Sequence, residues 1–275
     1  MTYIDDARIT ALDASRYRAT LSPSWRSMLD IHGGYVAAMA ARAIELSLDD
    51  DSRPLRSYNA QFLRPAHPGD VTIHIDTVRS GRTAAFLRAT VTQDDRAVMT
   101  TTAVAGAQRD GLTFSELTPP PAAATPPPPN TQRFIGGEPG LHFEQLELRF
   151  EPDLAMFGSH ERARVAGWLR PLDRTDTITL PWIICATDFM PPSMVFRTDR
   201  AVQAATIDMA VQLVHSQPST IIPPGAYVYA EAACAISAEG YSVEDATFWA
   251  PDAQLLATSR QVRLAGTPPP PTPPN

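Results

Sequence analysis

Asp188 stands in the middle of an apolar run, WIICATDFMPPSMV, from Trp182 to Val195. A lone carboxylate in such a segment is costly to bury, and burial pushes its pKa upward. That displacement suits general-base chemistry, because a carboxyl lifted out of its ordinary range can take a proton from water near neutral pH. The plainer role for Asp188 is an N-cap, with TDF opening a short helix. A second candidate feature is the pair Gly33 and Gly34 at the start of HGGYVAAMAARAIELSL. Glycines there let a ligand come close to backbone amides, and amides at a helix start are natural donors to a developing oxyanion. The plainer reading is tight packing of a helix on a sheet. His32, just before them, reads as a capping or surface histidine.

Other chemistries are poorly supplied. Every basic residue is Arg, so Schiff-base chemistry, a lysine-bound pyridoxal group and a P-loop lysine are excluded. The cysteines, Cys185 and Cys234, both lie among apolar residues (IICAT and AACAI). No His is close in sequence to serve Cys185 as a base, so both read as buried structural thiols in a reducing compartment. No His, Cys and carboxylate residues share metal-ligand spacing, so neither a metal nor a cofactor is expected.

These residues need elements to hold them. In His32–Leu48, Val36, Met39, Ala40, Ala43 and Ile44 recur at helical spacing, which predicts one long helix rich in small residues. Strand-like runs follow at 56–65, 70–78, 83–93 and 96–106, separated by HPGD, SGR and DD turn signals. TPPPAAATPPPPN, from Thr118 to Asn130, is predicted to be an extended polyproline linker, and TPPPPTPPN, from Thr267 to Asn275, an exposed tail. Beyond the linker the order recurs. Two lead-in segments come first, then the apolar segment with Asp188 in the place of the helix, then strands in AATIDMAVQLVH, AYVYAEAACAIS, EDATFWAP and QLLATSRQVRLAG. We read this as an internal duplication. The expected domains are 1–110, a linker at 111–140, 141–266 and a tail at 267–275. The class is α+β, each half an antiparallel sheet wrapped round a central helix, the two sheets joining at an edge.

The ordered set HGGYVAAMAARA, FLRPAHPGD and SGRTAAFLRATVTQDDRAVMTTTA, then ATDF, ATIDMAVQLVH and LLATSRQVRLAG, resembles the double-hotdog acyl-CoA thioesterases related to bacterial thioesterase II. The resemblance covers nearly the whole chain. It implies a tandem hotdog that hydrolyses acyl-CoA. It also implies a site in the second half where an Asp, a Thr and a Gln orient and activate water. By motif these are Asp188 in CATDF, Thr206 in AATIDMA and Gln261 in LLATSRQV, with Gly33 and Gly34 bordering the substrate. Regular alternation groups Thr206 with Asp208 and Gln212, opposite Ile207, Met209, Val211 and Leu213. Where the family often has a His after the Asp of its TID segment, this chain has Met209.

Two other readings stand beside hydrolysis. A hotdog protein could bind acyl-CoA or another apolar ligand without turning it over; scattered positions for Asp188, Thr206 and Gln261 would favour that. An enoyl-CoA hydratase would be expected to carry an Asp and a His a few residues apart at the start of the central helix, and no His follows Asp188 in the apolar run. A formal charge of −7 argues against nucleic acid as a partner. MTYIDDARIT has neither a basic nor an apolar leader region, and no apolar stretch reaches the ~20 residues of a membrane span, so a cytoplasmic chain is expected. Hotdog sheets tend to extend or stack, which predicts a homo-oligomer, a dimer or larger.

Overall fold

Alternating apolar residues decide which face of each strand turns inward, and the turn signals fix antiparallel connections. The computed structural model describes residues 9–28, 30–136 and 141–266; the expected tail at 267–275, the first eight residues and 137–140 lie outside them. The first half begins with β1 (Ile9–Ala11), β2 (Arg16–Leu21) and the small pair β3 (Arg26–Ser27) and β4 (Asp30–Ile31). Helix α1 (Gly33–Leu48) follows, then the meander β5 (Leu55–Phe62), β6 (Gly69–Ser80), β7 (Ala84–Gln93) and β8 (Arg96–Gly106). The second half has β9 (Leu146–Phe150), β10 (Arg164–Pro171), α2 (Leu180–Phe189), the single turn α3 (Met194–Arg197) and strands β11 (Thr206–Leu213), β12 (Val228–Ala238), β13 (Tyr241–Trp249) and β14 (Leu255–Leu264).

Among the described residues the main sheet runs β1-β2-β6-β7-β8-β5-β11-β14-β13-β12-β10-β9, with every neighbouring pair antiparallel. The second half repeats the strand order of the first as a mirror image, and β5 pairs with β11 to join them, Asn59 opposite Ala210. Each half thereby covers an edge that the other would expose.

Helix α1 is favoured by its alanines, and its first turn is capped by His32, whose Nδ1 accepts the Tyr35 amide at 3.3 Å. The cap is buried rather than on the surface, so the expected role of His32 holds only in its capping half. The helix ends at Asp49 in the left-handed region, φ 46. Helix α2 opens on a Thr179 cap and stops before Pro191, which cannot continue it. The two helices pack against each other, and most of α1 and nearly all of α2 is buried. The small side chains of α1 allow that closeness. No helix among the described residues is long and apolar enough to cross a membrane.

The proline-rich connection departs from a free extended spacer. It contains a short 3-10 turn at Pro121–Ala124 with Ala123 buried, and the Trp168 Nε1–H donates to Ala122 O at 3.2 Å and Thr125 O at 2.8 Å. A 3-10 turn tolerates proline at its start, and a buried indole N–H needs an acceptor, so the segment is pinned to the sheet. The thiols differ too. Cys185 is buried as expected, whereas Cys234 is half-buried because it lies where β12 bulges.

Candidate active site

Asp188 lies in the last turn of α2, so it does not cap a helix beginning at TDF. Its carboxylate instead serves the other half of the molecule. Oδ2 accepts the Gly34 amide, in the first turn of α1, at 2.9 Å. A free amide at one helix start and a carboxylate at the end of another make a charge-assisted bond across the duplication. Gly34 permits this because a Cβ there would meet Cys185 O at 2.6 Å and Asp188 Cβ at 2.9 Å. The space beside Gly34 is thus filled by protein. Gly33 is less enclosed, with Asp188 Oδ2 and the Phe62 ring each 3.0 Å from its missing Cβ.

The other carboxylate oxygen, Oδ1, lies 2.8 Å from Thr206 Oγ1, which is 2.9 Å from Gln261 Oε1. Strict alternation put Thr206 on the face opposite Met209, and the structure corrects that. Thr206 pairs with Arg263 and Met209 with Gln261, and a bulge lies between Thr206 and Asp208. Paired residues share a face, as do Gln261 and Arg263 two apart on β14, so the extra residue of the bulge turns Thr206 inward. Met209 is core, with the Thr187 hydroxyl 3.2 Å from its Sδ. Gln261 is buried, and its Nε2 donates to Thr187 O at 2.7 Å, which fixes the amide with Oε1 towards Thr206.

Reading the sequence missed three more residues of this cluster, Arg263, Glu244 and His142, and the place of His32 beside Asp188. Arg263, 3 % exposed, donates from Nη1 to Thr206 Oγ1 at 2.7 Å, and its Nη1 is 3.9 Å from Asp188 Oδ1. Glu244 holds the guanidinium at 3.1 Å and accepts the Ser193 amide at 2.5 Å. His32 and His142 stack at 4.8 Å beside Asp188. The His32 Nε2–H donates to Asp188 O at 3.1 Å, and the His142 Nδ1–H donates to Arg26 O at 3.2 Å. One signal was available for Arg263: it stands two residues after Gln261 on a strand. His142 and Glu244 come from separate elements and carry no local signal, and the helix start at His32 signals only its cap.

The electrostatics follow from burial. Desolvation raises the Asp188 carboxyl above its ordinary value, against the opposing pull of Arg263, the Thr206 hydroxyl and the Gly34 amide. Its position at the C-terminus of α2 acts in the same direction as burial. Burial lowers His32 to about 4, although its bond to the Asp188 carbonyl raises it. Burial and the neighbouring His32 lower His142 to about 3. Both imidazoles are therefore neutral at pH 7, and the 3.8 Å approach of His32 Nε2 to Asp188 Oδ2 is not an ion pair there.

Below the ordinary pKa of 6.5 the unfolded chain binds protons at both histidines, whereas the folded chain resists until about 4 and about 3. Their contribution is present above that ordinary value and is lost as pH falls through the window, at about 1.4 kcal/mol per pH unit for each group. Asp188, raised, contributes with the opposite sign and offsets part of the loss. Denaturant titrations from pH 7 to 5 should show a steeper fall for the wild type than for His142→Asn, whose amide can still donate to Arg26 O. Equal slopes would contradict the assignment of a buried neutral imidazole.

Among the described residues no three His, Cys, Asp or Glu side chains gather to hold a metal ion. The model of the acyl-CoA thioesterase N-terminal domain matches residues 21–106, and that of the C-terminal domain matches residues 116–265. No curated protein shows a significant match to the chain. Solved structures share the fold. A conserved protein of unknown function with hot dog fold from Alicyclobacillus acidocaldarius has a TM-score of 0.85 at 22% identity, covering 97% of this chain and 98% of that one. The tesB protein of Mycobacterium avium subspecies paratuberculosis has a TM-score of 0.74 at 18% identity, with coverage of 97% and 98%. The acyl-CoA thioesterase II TesB2 of Mycobacterium marinum has a TM-score of 0.72 at 18% identity, with coverage of 97% and 99%.

Proposed function

The chain belongs to the acyl-CoA thioesterase family and is a thioester hydrolase, and from that premise we propose that it cleaves acyl-CoA with a water activated at a site built from Asp188, Thr206 and Gln261. The observation that carries this reading is the Thr206 hydroxyl, within 2.8 Å of the Asp188 carboxylate and 2.9 Å of the Gln261 carbonyl. Three groups from a helix end and two strands converge on one point, as hydrolysis by positioned water requires.

In this mechanism ionised Asp188 takes a proton from water as the water oxygen adds to the thioester carbon. Gln261 Oε1 accepts the other hydrogen. A backbone amide at the start of α1 stabilises the oxyanion; Gly33 suits the role, because an amide in the first helical turn has no intrahelical acceptor and the Gly34 amide is already bonded to Asp188. The tetrahedral intermediate expels the CoA thiolate, and Asp188 returns the proton to it. No cofactor enters the reaction.

We read the architecture as a tandem hotdog, each sheet wrapped round its helix, with domains at 1–110 and 141–266 and the connection at 111–140. Acyl-CoA as the sole partner besides further copies of the chain, a cytoplasmic setting and fatty-acid metabolism belong to the same proposal. The hydratase reading gains little from the two imidazoles near Asp188, because the N–H of each is given to a backbone carbonyl.

The test is thiol release from acyl-CoAs of short to long chain, by the wild type and by Thr206→Val. The wild type should hydrolyse at least one chain-length class. The variant, which loses the hydroxyl between Asp188 and Gln261 but keeps the carboxylate, should be slower by about 10–100-fold, below the roughly 10²–10⁴-fold that a positioned acid or base itself contributes. No release from any acyl-CoA would favour a protein that binds acyl-CoA without turning it over. An undiminished rate in Thr206→Val would remove Thr206 from the site.

A further inference from the structure

We propose that Arg263 is a positioning residue for this site: anchored on Glu244, it donates to Thr206 Oγ1 and commits the single Thr206 proton to the side of Asp188 and Gln261. The inference rests on the reading of Asp188 as the base. A guanidinium only donates, so at 2.7 Å Thr206 Oγ1 must be accepting from Arg263. The one hydroxyl hydrogen then has two oxygens before it, Asp188 Oδ1 at 2.8 Å and Gln261 Oε1 at 2.9 Å. Gln261 cannot offer its NH2 instead, because Nε2 is engaged by Thr187 O at 2.7 Å.

Only one of the two acceptors is served at a time. With Asp188 ionised, the charge-assisted bond takes the hydrogen, and Gln261 Oε1 is left to accept from the attacking water. Once Asp188 has taken the water proton, it can donate to Thr206 Oγ1, and the hydroxyl turns to Gln261. Thr206 thus changes direction with the charge on Asp188, and Arg263 occupies one of its lone pairs in both states. Without Arg263 the hydroxyl has a free rotation to waste.

Arg263 also places a positive charge near the base. The charged and titratable groups facing Asp188 are Arg263 from β14, His32 and His142 across the helix interface, and Cys185 on its own helix, with Glu244 of β13 behind Arg263. Of these, Arg263 favours the ionised carboxylate, while the histidines are neutral in the working range.

The experiment compares the pH profile of kcat/KM in the wild type, in Arg263→Met/Glu244→Gln, and in Arg263→Lys. The paired change avoids stranding a buried Glu244 charge. We expect the acidic limb of the paired variant to move to higher pH by about one unit, the lower end of what a neighbouring opposite charge produces. Arg263→Lys keeps the charge without the fork, and should hold the limb near its wild-type position while kcat falls; it also serves as the test if the paired variant does not fold. Combining each change with Thr206→Val gives the decisive readout, because a residue acting through Thr206 costs much less once Thr206 is gone. An unmoved limb in the paired variant, a limb that moves in Arg263→Lys, or a cost that is undiminished in the Thr206→Val background would overturn the proposal. Asp188→Asn at full wild-type rate would instead overturn the reading on which it rests.

Discussion

Asp188→Asn is expected to lower kcat for acyl-CoA hydrolysis at least about a hundredfold, while the protein stays folded and becomes no less stable at pH 8. The kinetic half follows from removing the carboxylate at the point where Thr206 and Gln261 meet. The structural half follows from the hydrogen bonds. An Asn oxygen still accepts the Gly34 amide, its NH2 donates to Thr206 Oγ1, and Thr206 donates to Gln261 Oε1, so no partner is stranded. Asp188 is raised in the folded state, mainly by burial, so its contribution is full below the ordinary carboxylate pKa and is lost as pH rises through the raised one. At pH 8 the buried charge is a net cost, and Asn removes it. Initial rates and thermal melts check the two halves separately. Undiminished hydrolysis would move the base elsewhere, and a collapse in Tm would make Asp188 a structural residue.

Gly34→Ala is the second large effect. A methyl there would come within 2.6 Å of Cys185 O, a backbone atom in the middle of α2, and within 2.9 Å of Asp188 Cβ and His32 Cε1. A carbonyl inside a helix cannot swing aside as a side chain can, so the helices must separate. Overpacking of this kind costs about 1–3 kcal/mol. The same separation carries Asp188 away from Thr206, and a displacement of ~1 Å in an oriented site is worth about 100-fold in rate. Gly33→Ala is the internal control. Its closest neighbours, Asp188 Oδ2 and the Phe62 ring at 3.0 Å, belong to side chains that can yield by a few tenths of an ångström. We expect Gly34→Ala to be the worse of the two in both denaturant midpoint and kcat. Equal, mild effects would mean that the helix interface is looser than its geometry.

Much of this arrangement was legible in the sequence, for reasons that particular residues make plain. The small residues of HGGYVAAMAARAIELSL mark a helix that something packs against closely, and that partner is α2. The turns between 56 and 106 delimit strands whose observed ends differ by a few residues at most. Asp188 stood out because it was the one charge in an apolar run. Thr206 was placed on the wrong face because a bulge adds a residue to the alternation, and bulges carry no signature in TIDMAVQL. The N-cap reading of Asp188 failed instructively: the residue does bond a helix start, but that of the other half, a contact across 154 positions of sequence. His142 was invisible for the same reason. Its segment, LHFE, gains meaning only when β9 and α1 bring it against His32 and Phe189.

The duplication also explains why the site is divided. Asp188, Thr206 and Gln261 come from the second half, while Gly34 and His32 come from the start of the first helix. Neither half holds the whole arrangement, so in the proposed mechanism the β5–β11 join and the α1–α2 contact are conditions of the chemistry as well as of stability.

In the proposed mechanism water attacks the thioester directly under Asp188, with no acyl group passing through the protein. The most direct measurement is a single turnover of acyl-CoA in H2-18O with enzyme in excess, followed by mass analysis of the released acid and of the peptides containing Asp188 and Cys185. Direct attack predicts one 18O in the carboxyl of the acid from the first turnover and none in Asp188. An unlabelled acid with 18O in the Asp188 carboxyl, or an acyl group trapped on Cys185, would contradict it.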